Sequence, residues 1–493
     1  MKSEIDTQVP ELGAIGLARF AWRQLTSMRT ALILLMLLGL ASIPGSLIPQ
    51  RSQNPIAVRQ YFIDNPNLAS WIERFSGFTV YSSPWFSAIY ILLFISLIGC
   101  VLPRTFEHAK SMRSQPPVTP RNLLRMESFQ EFISTGKEIE IGTKWFKDNR
   151  FRVRIEDHSI SAEKGYLRET GNLLFHLSLI LILVGVSVGS LFGMRGEAIV
   201  NKGERFISVP TSYDTLAFGK LVNEDAIEPF TIEVLDFVAK YDPITNRPQD
   251  YTATVRVTKA GEEDSEVKSL KVNQPLTFGN TRVYLQANGY SPIVTVRDST
   301  GQVALQGPVT FLPQDGNLRS IGSIKVPDAE PQVGFVASFL PTYARSADQG
   351  GISIFPEALN PKLLFSIWEG DLGLDSGIPQ SVYRIDTSEM NRIGLDSLSP
   401  GETFSYPEGS ITFETFVPWI NLQIVDDPGK SYALYGAVAA ILGLLASLFG
   451  RRRRIWLKIT PSGVVEVAGL AKNGAPGLAA EIDLLVSSLR REI

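Results

Sequence analysis

Three histidines and one cysteine are the whole of the chain's imidazole and thiol chemistry. One of them, His176, lies inside the apolar run GNLLFHLSLILILVGVSVGSLFG, five residues past Gly171. Helical rise carries it about 7.5 Å into that run. An ionisable side chain held so deep costs a few kcal/mol unless partnered, which marks it as functional by default. An apolar setting keeps imidazole neutral, and neutral imidazole is the form that ligates iron or another metal. The plainer alternative is a hydrogen bond to a neighbouring helix.

The other candidates read differently. His108 and His158 fall in a basic stretch and are expected to be solvated; no two of the three histidines have the i, i+4 spacing of a helical zinc site. Cys100 sits in another apolar run, where a lone thiol is a small packing residue or, failing that, a soft ligand. A single cysteine excludes an internal disulfide, a four-thiolate zinc site, a CxxC redox pair and a CxxCH haem attachment of the chain's own. There is no GxxxxGK[ST] loop, HExxH, EF-hand pattern or GxSxG elbow, which argues against an ATPase or a hydrolase.

The elements that must position His176 are membrane helices. A mean hydropathy of +0.07 over 493 residues is high for a soluble chain. The excess is concentrated in four runs long enough to span a bilayer: Ala31 to Ile48, Trp85 to Leu102, Gly171 to Gly193 and Tyr432 to Gly450. SIPGSLIPQR after the first run has no cleavage-site pattern, so that run is expected to be retained; Pro44 and Pro49 there would kink or end the helix.

Lysine and arginine near the run ends predict sidedness. Arg19, Arg23 and Arg29 precede the first span, thirteen Lys or Arg lie between Arg104 and Arg168, and Arg451 to Arg454 follow the fourth. Both termini (residues 1–30 and a tail, 451–493) and the segment 103–170 are thus expected in the cytoplasm. Residues 49–84 and 194–431 are expected outside.

The long outer segment is acidic, 19 Lys or Arg against 31 Asp or Glu from Met194 to Lys430, a net −12. Stretches such as TIEVLDF, YTATVRV, TRVYLQ, SPIVTVRD and SITFETF, set between Gly, Pro and Asn turn signals, predict a mostly β domain. The basic inner segment, with FQEFIS, KEIEIG, RFRVRI and HSISAEKG, predicts a small αβ module of about 45 residues on short strands. Its charge is the ordinary inside signal rather than a nucleic-acid site. In the short outer loop Leu68, Trp71, Ile72 and Phe75 form one helical face: a helix lying in the membrane interface, or a cap packed on the β domain.

Five stretches together resemble a known family: TSMRTALILLMLLGLASIPGSLIPQR, VYSSPWFSAIYILLFISLIGCVLPR, KGYLRETGNLLFHLSLILILVGVSVG, VNQPLTFGNTRVYLQANGYSP and LQIVDDPGKSYALYGAVAAILGLLASLFGRRRRIW. In order and spacing they are similar to the ResB family, also called CcsB, of system II cytochrome c biogenesis. The resemblance covers essentially the whole chain. It implies an accessory, non-catalytic subunit of a plasma-membrane complex that moves haem b outward and attaches it to apocytochrome c. The partner would be a ResC or CcsA protein with a tryptophan-rich WWD motif, and a thiol-reducing thioredoxin-like protein is a further candidate. No WWD-like stretch exists here. The family's haem-ligating histidine of the third span is matched by His176 alone, so the second axial ligand would come from the partner. Arg29 and Arg168 are candidate propionate neighbours, although positive-inside charge explains both. A competing reading is a membrane-anchored receptor or scaffold with a ligand-binding β ectodomain; a self-sufficient haem oxidoreductase would need more intramembrane histidines.

Overall fold

The computed structural model describes residues 13–51, 55–126, 128–261, 264–346, 350–374, 381–449, 452–471 and 477–491. The chain divides into two compact units, Met1–Val186 with Lys430–Ile493, and Ser187–Gly429.

Among the described residues four helices are long and apolar enough to cross a membrane: Met28–Leu47, a helix ending at Arg113, Leu167–Phe192 and Lys430–Leu448. The second helix begins at Pro84 behind the Ser83 cap and runs eleven residues beyond the expected Leu102. Of the expected ends, Gly450 and Arg451 lie outside the described residues. Polar side chains join the second span to the end of helix Ala14–Leu25, just before the first span. Ser96 Oγ donates to the Leu25 carbonyl at 2.6 Å, and the Cys100 thiol donates to the Thr26 carbonyl at 2.7 Å. Cys100 is thus a half-buried tie between helices, in keeping with the packing role.

The third and fourth spans meet backbone to backbone. On the third, the buried positions are Gly171, Ser178 and Gly185; on the fourth, Gly436 and Gly443. All are seven residues apart, so each set forms one seam. A Cβ on Gly443 would lie 2.6 Å from the Phe175 nitrogen, and one on Gly171 would lie 2.5 Å from the Ser447 nitrogen. Small residues permit this approach, which is how helices associate where no water drives them together.

In the short loop, helix Pro66–Arg74 turns Ala69 and Ile72 inward onto Val58 and Phe78. Leu68, Trp71 and Phe75 stay exposed, and Arg74 stacks over Trp71. These three side chains form one exposed apolar face.

The αβ module differs from expectation in extent. Its five-stranded sheet takes Ser128–Ile133, Arg152–Glu156 and Ser159–Lys164 from the inner segment, but Arg453–Ile459 and Val464–Ala471 from the C-terminal region form its centre. Helices Glu138–Asp148 and Leu478–Arg491 cover one face, burying Ile141, Phe146, Ile482 and Leu485. The region after the fourth span is therefore half of this module rather than a separate tail. KEIEIG, whose alternation reads as a strand, opens a helix instead. The Glu138 carboxylate there accepts hydrogen bonds from Thr135 N–H and Oγ1, Gly136 N–H and Ser134 Oγ, which fixes the helix start.

Beyond the helix end at Phe192, the described residues of the second unit form strands and connecting loops with only short 3-10 turns. Two 18-residue strands, Thr281–Asp298 and Gly409–Asp426, pair along nearly their whole length and act as a spine. One half of the spine packs Val283, Leu285, Ile420 and Leu422 into a core with the four-stranded sheet around Phe230–Tyr241 and Pro248–Lys259. The other half packs Val294, Val296, Ile411 and Phe413 into a second core with the sheet around Val333–Leu340 and Lys362–Glu369. TRVYLQ and SPIVTVRD, expected as separate strands, are one. The Asn288-Gly289 pair between them is part of that strand, and the Trp419 indole lies against Gly289, where a Cβ would be 2.4 Å from the ring.

Candidate functional site

His176 lies nine residues into helix Leu167–Phe192, about 13.5 Å of rise from its start. It is half-buried, with the Phe175 ring edge-on at 5.4 Å. Its Nδ1 is 2.7 Å from the carbonyl of Asn172, one turn back. A carbonyl can only accept, so Nδ1 carries a proton, and in the neutral ring the lone pair is then on Nε2. Nε2 has no protein partner among the described residues. A hydrogen bond from the far ring nitrogen is the usual means of fixing the tautomer and orientation of a metal-ligating imidazole. The arrangement therefore leaves one imidazole nitrogen able to serve as a single metal ligand. A full ligand set is not present: among the described residues no group of three or more His, Cys, Asp or Glu could hold a metal ion.

The other histidines fall elsewhere. His158 is exposed, as expected for a solvated residue. His108 is not solvated, and this corrects the sequence expectation: its side chain is only 11% exposed. The second-span helix continues through it, so that Nε2 meets Thr170 Oγ1 at 2.9 Å and Nδ1 lies 3.7 Å from Glu169. Both of its nitrogens are engaged at the start of the third span. Arg29 and Arg168 are exposed and make no ion pair among the described residues.

His108 belongs to a cluster that the sequence did not reveal. Glu163, 2% exposed in its side chain, accepts from Arg452 and, at 3.0 Å, from Arg454. Tyr166 donates its hydroxyl to the same carboxylate at 2.6 Å, and Arg452 stacks over the Tyr166 ring at 4.5 Å while reaching Glu169 at 3.3 Å. Burial alone would raise the Glu163 pKa, but the hydrogen bonds from Tyr166 and the two arginines outweigh it and hold the carboxyl below its ordinary value. The cluster ties the third span's entrance to the second span, the sheet and the strand after the fourth span. Its available signals were the Glu163, Tyr166, Glu169 spacing of three and the arginine run, which the inside rule had already explained.

Fold and site together describe an integral membrane protein with four spans, a large β unit and one imidazole presented from a span. The ResB-like family model matches residues 28–483, and the chain belongs to that family. It is 22% identical over 488 residues to the cytochrome c biogenesis protein CcsB of Paulinella chromatophora, covering 95% of this chain and 98% of that one. The CcsB proteins of Prochlorococcus marinus strain MIT 9303 and Synechococcus sp. strain WH7803 are 25% and 24% identical, over 95% and 94% of this chain and 97% and 96% of theirs. Among solved structures, one of infectious bursal disease virus Gt strain, 10% identical, covers 79% of this chain and 95% of its own with a TM-score of 0.06, too low to carry a fold relationship.

Proposed function

We propose that this chain acts in cytochrome c biogenesis as the accessory membrane subunit of a haem export and attachment complex, with His176 as one axial ligand to haem b passing through as cargo. The carrying observation is the Nδ1 bond to Asn172, which leaves Nε2 free on a membrane helix. The biogenesis role is supported by family membership and by the names of the CcsB relatives. The cargo supplies the iron. The chain's own part is to hold an imidazole oriented by its Nδ1 bond, with Nε2 presented from the helix.

A bis-imidazole iron needs two such groups, and the second would come from a WWD-bearing partner of the ResC or CcsA type. Attachment to apocytochrome c would be carried mainly by that partner. In this reading the αβ module and both termini face the cytoplasm and the β unit faces outward from the plasma membrane, as the arginine and lysine distribution supports.

The test is an absorbance spectrum of the chain purified with its WWD partner, as wild type and as His176→Ala, His108→Ala and His158→Ala. The expected result is loss of the bis-histidine haem spectrum in His176→Ala, with the complex intact, and retention in His158→Ala. His108→Ala is expected to lower stability and leave the ligation spectrum unchanged. Unchanged haem in all three would overturn the assignment and favour a receptor or scaffold.

A further inference from the structure

One edge of the β spine lacks a neighbour. Thr281–Asp298 pairs with Gly409–Asp426 on one side throughout. On the other side it pairs only at residues 281–283, with Leu276–Phe278, and at 293–297, with Val303–Pro308. Residues 285–291 between them have no strand partner there among the described residues.

The hydrogen-bond register says which groups this edge presents. Lys202 N–H donates to the Pro418 carbonyl, so Pro418, Ile420, Leu422 and Ile424 turn their backbone groups toward Met194–Asn201. Alternation then turns Trp419, Asn421 and Gln423 toward the spine partner, where they engage Gly289, Ala287 and Tyr284. The amides of Leu285, Asn288 and Tyr290 are left pointing outward. The same register leaves the Pro292 carbonyl on that edge, and it is indeed taken by Val309 N–H from the outer side.

A cavity of about 350 Å³ opens along this stretch, between Tyr251 and Tyr284, with four side-chain amides around it: Asn273, Gln286, Asn288 and Gln423. Beside it in register, Asn421 Oδ1 is buried without a hydrogen-bond partner among the described residues. Open backbone groups, side-chain amides and an unsatisfied buried acceptor are together the chemistry that recognises another peptide backbone. The surrounding segment carries a net charge of −12, which favours a cationic occupant.

We propose that this edge docks an extended, basic polypeptide segment by strand addition, between the two β cores. Identifying that segment with apocytochrome c rests on the function proposed above; the docking mode does not.

The experiment uses the full chain in nanodiscs and a fluorescein-labelled, lysine-flanked apocytochrome c peptide spanning Cys-x-x-Cys-His, with an acidic scrambled peptide as control. Expected are binding of the basic peptide and slowed amide exchange confined to residues 285–290. Asn288→Pro, which removes an amide that the spine does not use, is expected to weaken binding at least tenfold. Gln286→Lys, at an exposed position that leaves the backbone intact, is expected to weaken it several-fold. Equal affinity in both variants, protection elsewhere, equal binding of the acidic control, or no binding would overturn the proposal. Protection that grows with protein concentration alone would assign the edge to a second copy of the chain and also overturn it. If any of these occurs while the His176-dependent haem spectrum persists, docking fails and the haem function stands; loss of that dependence fails the haem assignment independently.

Discussion

Glu163 shows how much one buried charge can carry in this protein. Its carboxylate is shared by Tyr166, Arg452 and Arg454, and breaking a buried pair by removing one partner leaves the other charge uncompensated, a cost of about 3–5 kcal/mol. Glu163→Gln is expected to lower the thermal midpoint of the αβ module, read from Trp145 and Trp456 fluorescence in nanodiscs. Tyr166→Phe removes the hydroxyl that donates to Glu163 and accepts from Arg452, two hydrogen bonds to charged groups, and is expected to cost about 1.5–3 kcal/mol for each bond that water does not replace. Glu138 makes a second prediction. Burial pushes its pKa up, but the hydrogen bonds from Thr135 and Ser134 more than reverse this and hold it at about 2. A carboxyl lowered on folding contributes stability that is complete above its unfolded value and lost as pH falls through the folded one. The module is therefore expected to lose stability from about pH 4.5 down to about 2. Glu138→Gln should flatten that dependence, as followed by far-ultraviolet circular dichroism. At this scale the sequence exposed His176 because a polar, ionisable side chain is conspicuous in an apolar run. It hid His108 and Glu163 because their partners are far away in the chain.

Among the elements, the third span matters most, because it carries His176 and is held on one side by the glycine seam. Gly443 has backbone rather than flexible side chain against it, so an added side chain cannot be accommodated by rotamer change. Gly443→Leu is expected to separate the two spans and destabilise the pair by at least the 1–3 kcal/mol typical of overpacking. Measured by thermal unfolding of the full chain in nanodiscs, the midpoint should fall in the variant. An unchanged midpoint would mean that the seam does not hold the pair. The spans were legible because 18 or more apolar residues leave few alternatives to a membrane helix. The helix beginning at Glu138 was not: Ile139 and Ile141 alternate as in a strand, and only the carboxylate nest formed by Ser134, Thr135 and Gly136 selects the helix.

For the whole molecule, the acidic segment from Met194 to Lys430 should act through its field. Association of the full chain with a basic apocytochrome is expected to slow as salt is raised, since encounter between opposite charges is screened over about 10 Å at 0.1 M ionic strength. A stopped-flow association rate independent of salt would remove charge from the account of client capture. By itself the sequence determined the four spans, the segregation of basic and acidic segments, the mostly β character of the long segment and the family. These follow from hydropathy, charge and strand alternation, which are read over short stretches of chain. Only the tertiary structure joined Arg453–Ile459 and Val464–Ala471 to strands from residues 128–164, fused two expected strands into a spine shared by two cores, and buried His108 against Thr170. Those features depend on pairing between segments distant in sequence, where register and mutual burial, rather than any local pattern, decide which residues meet.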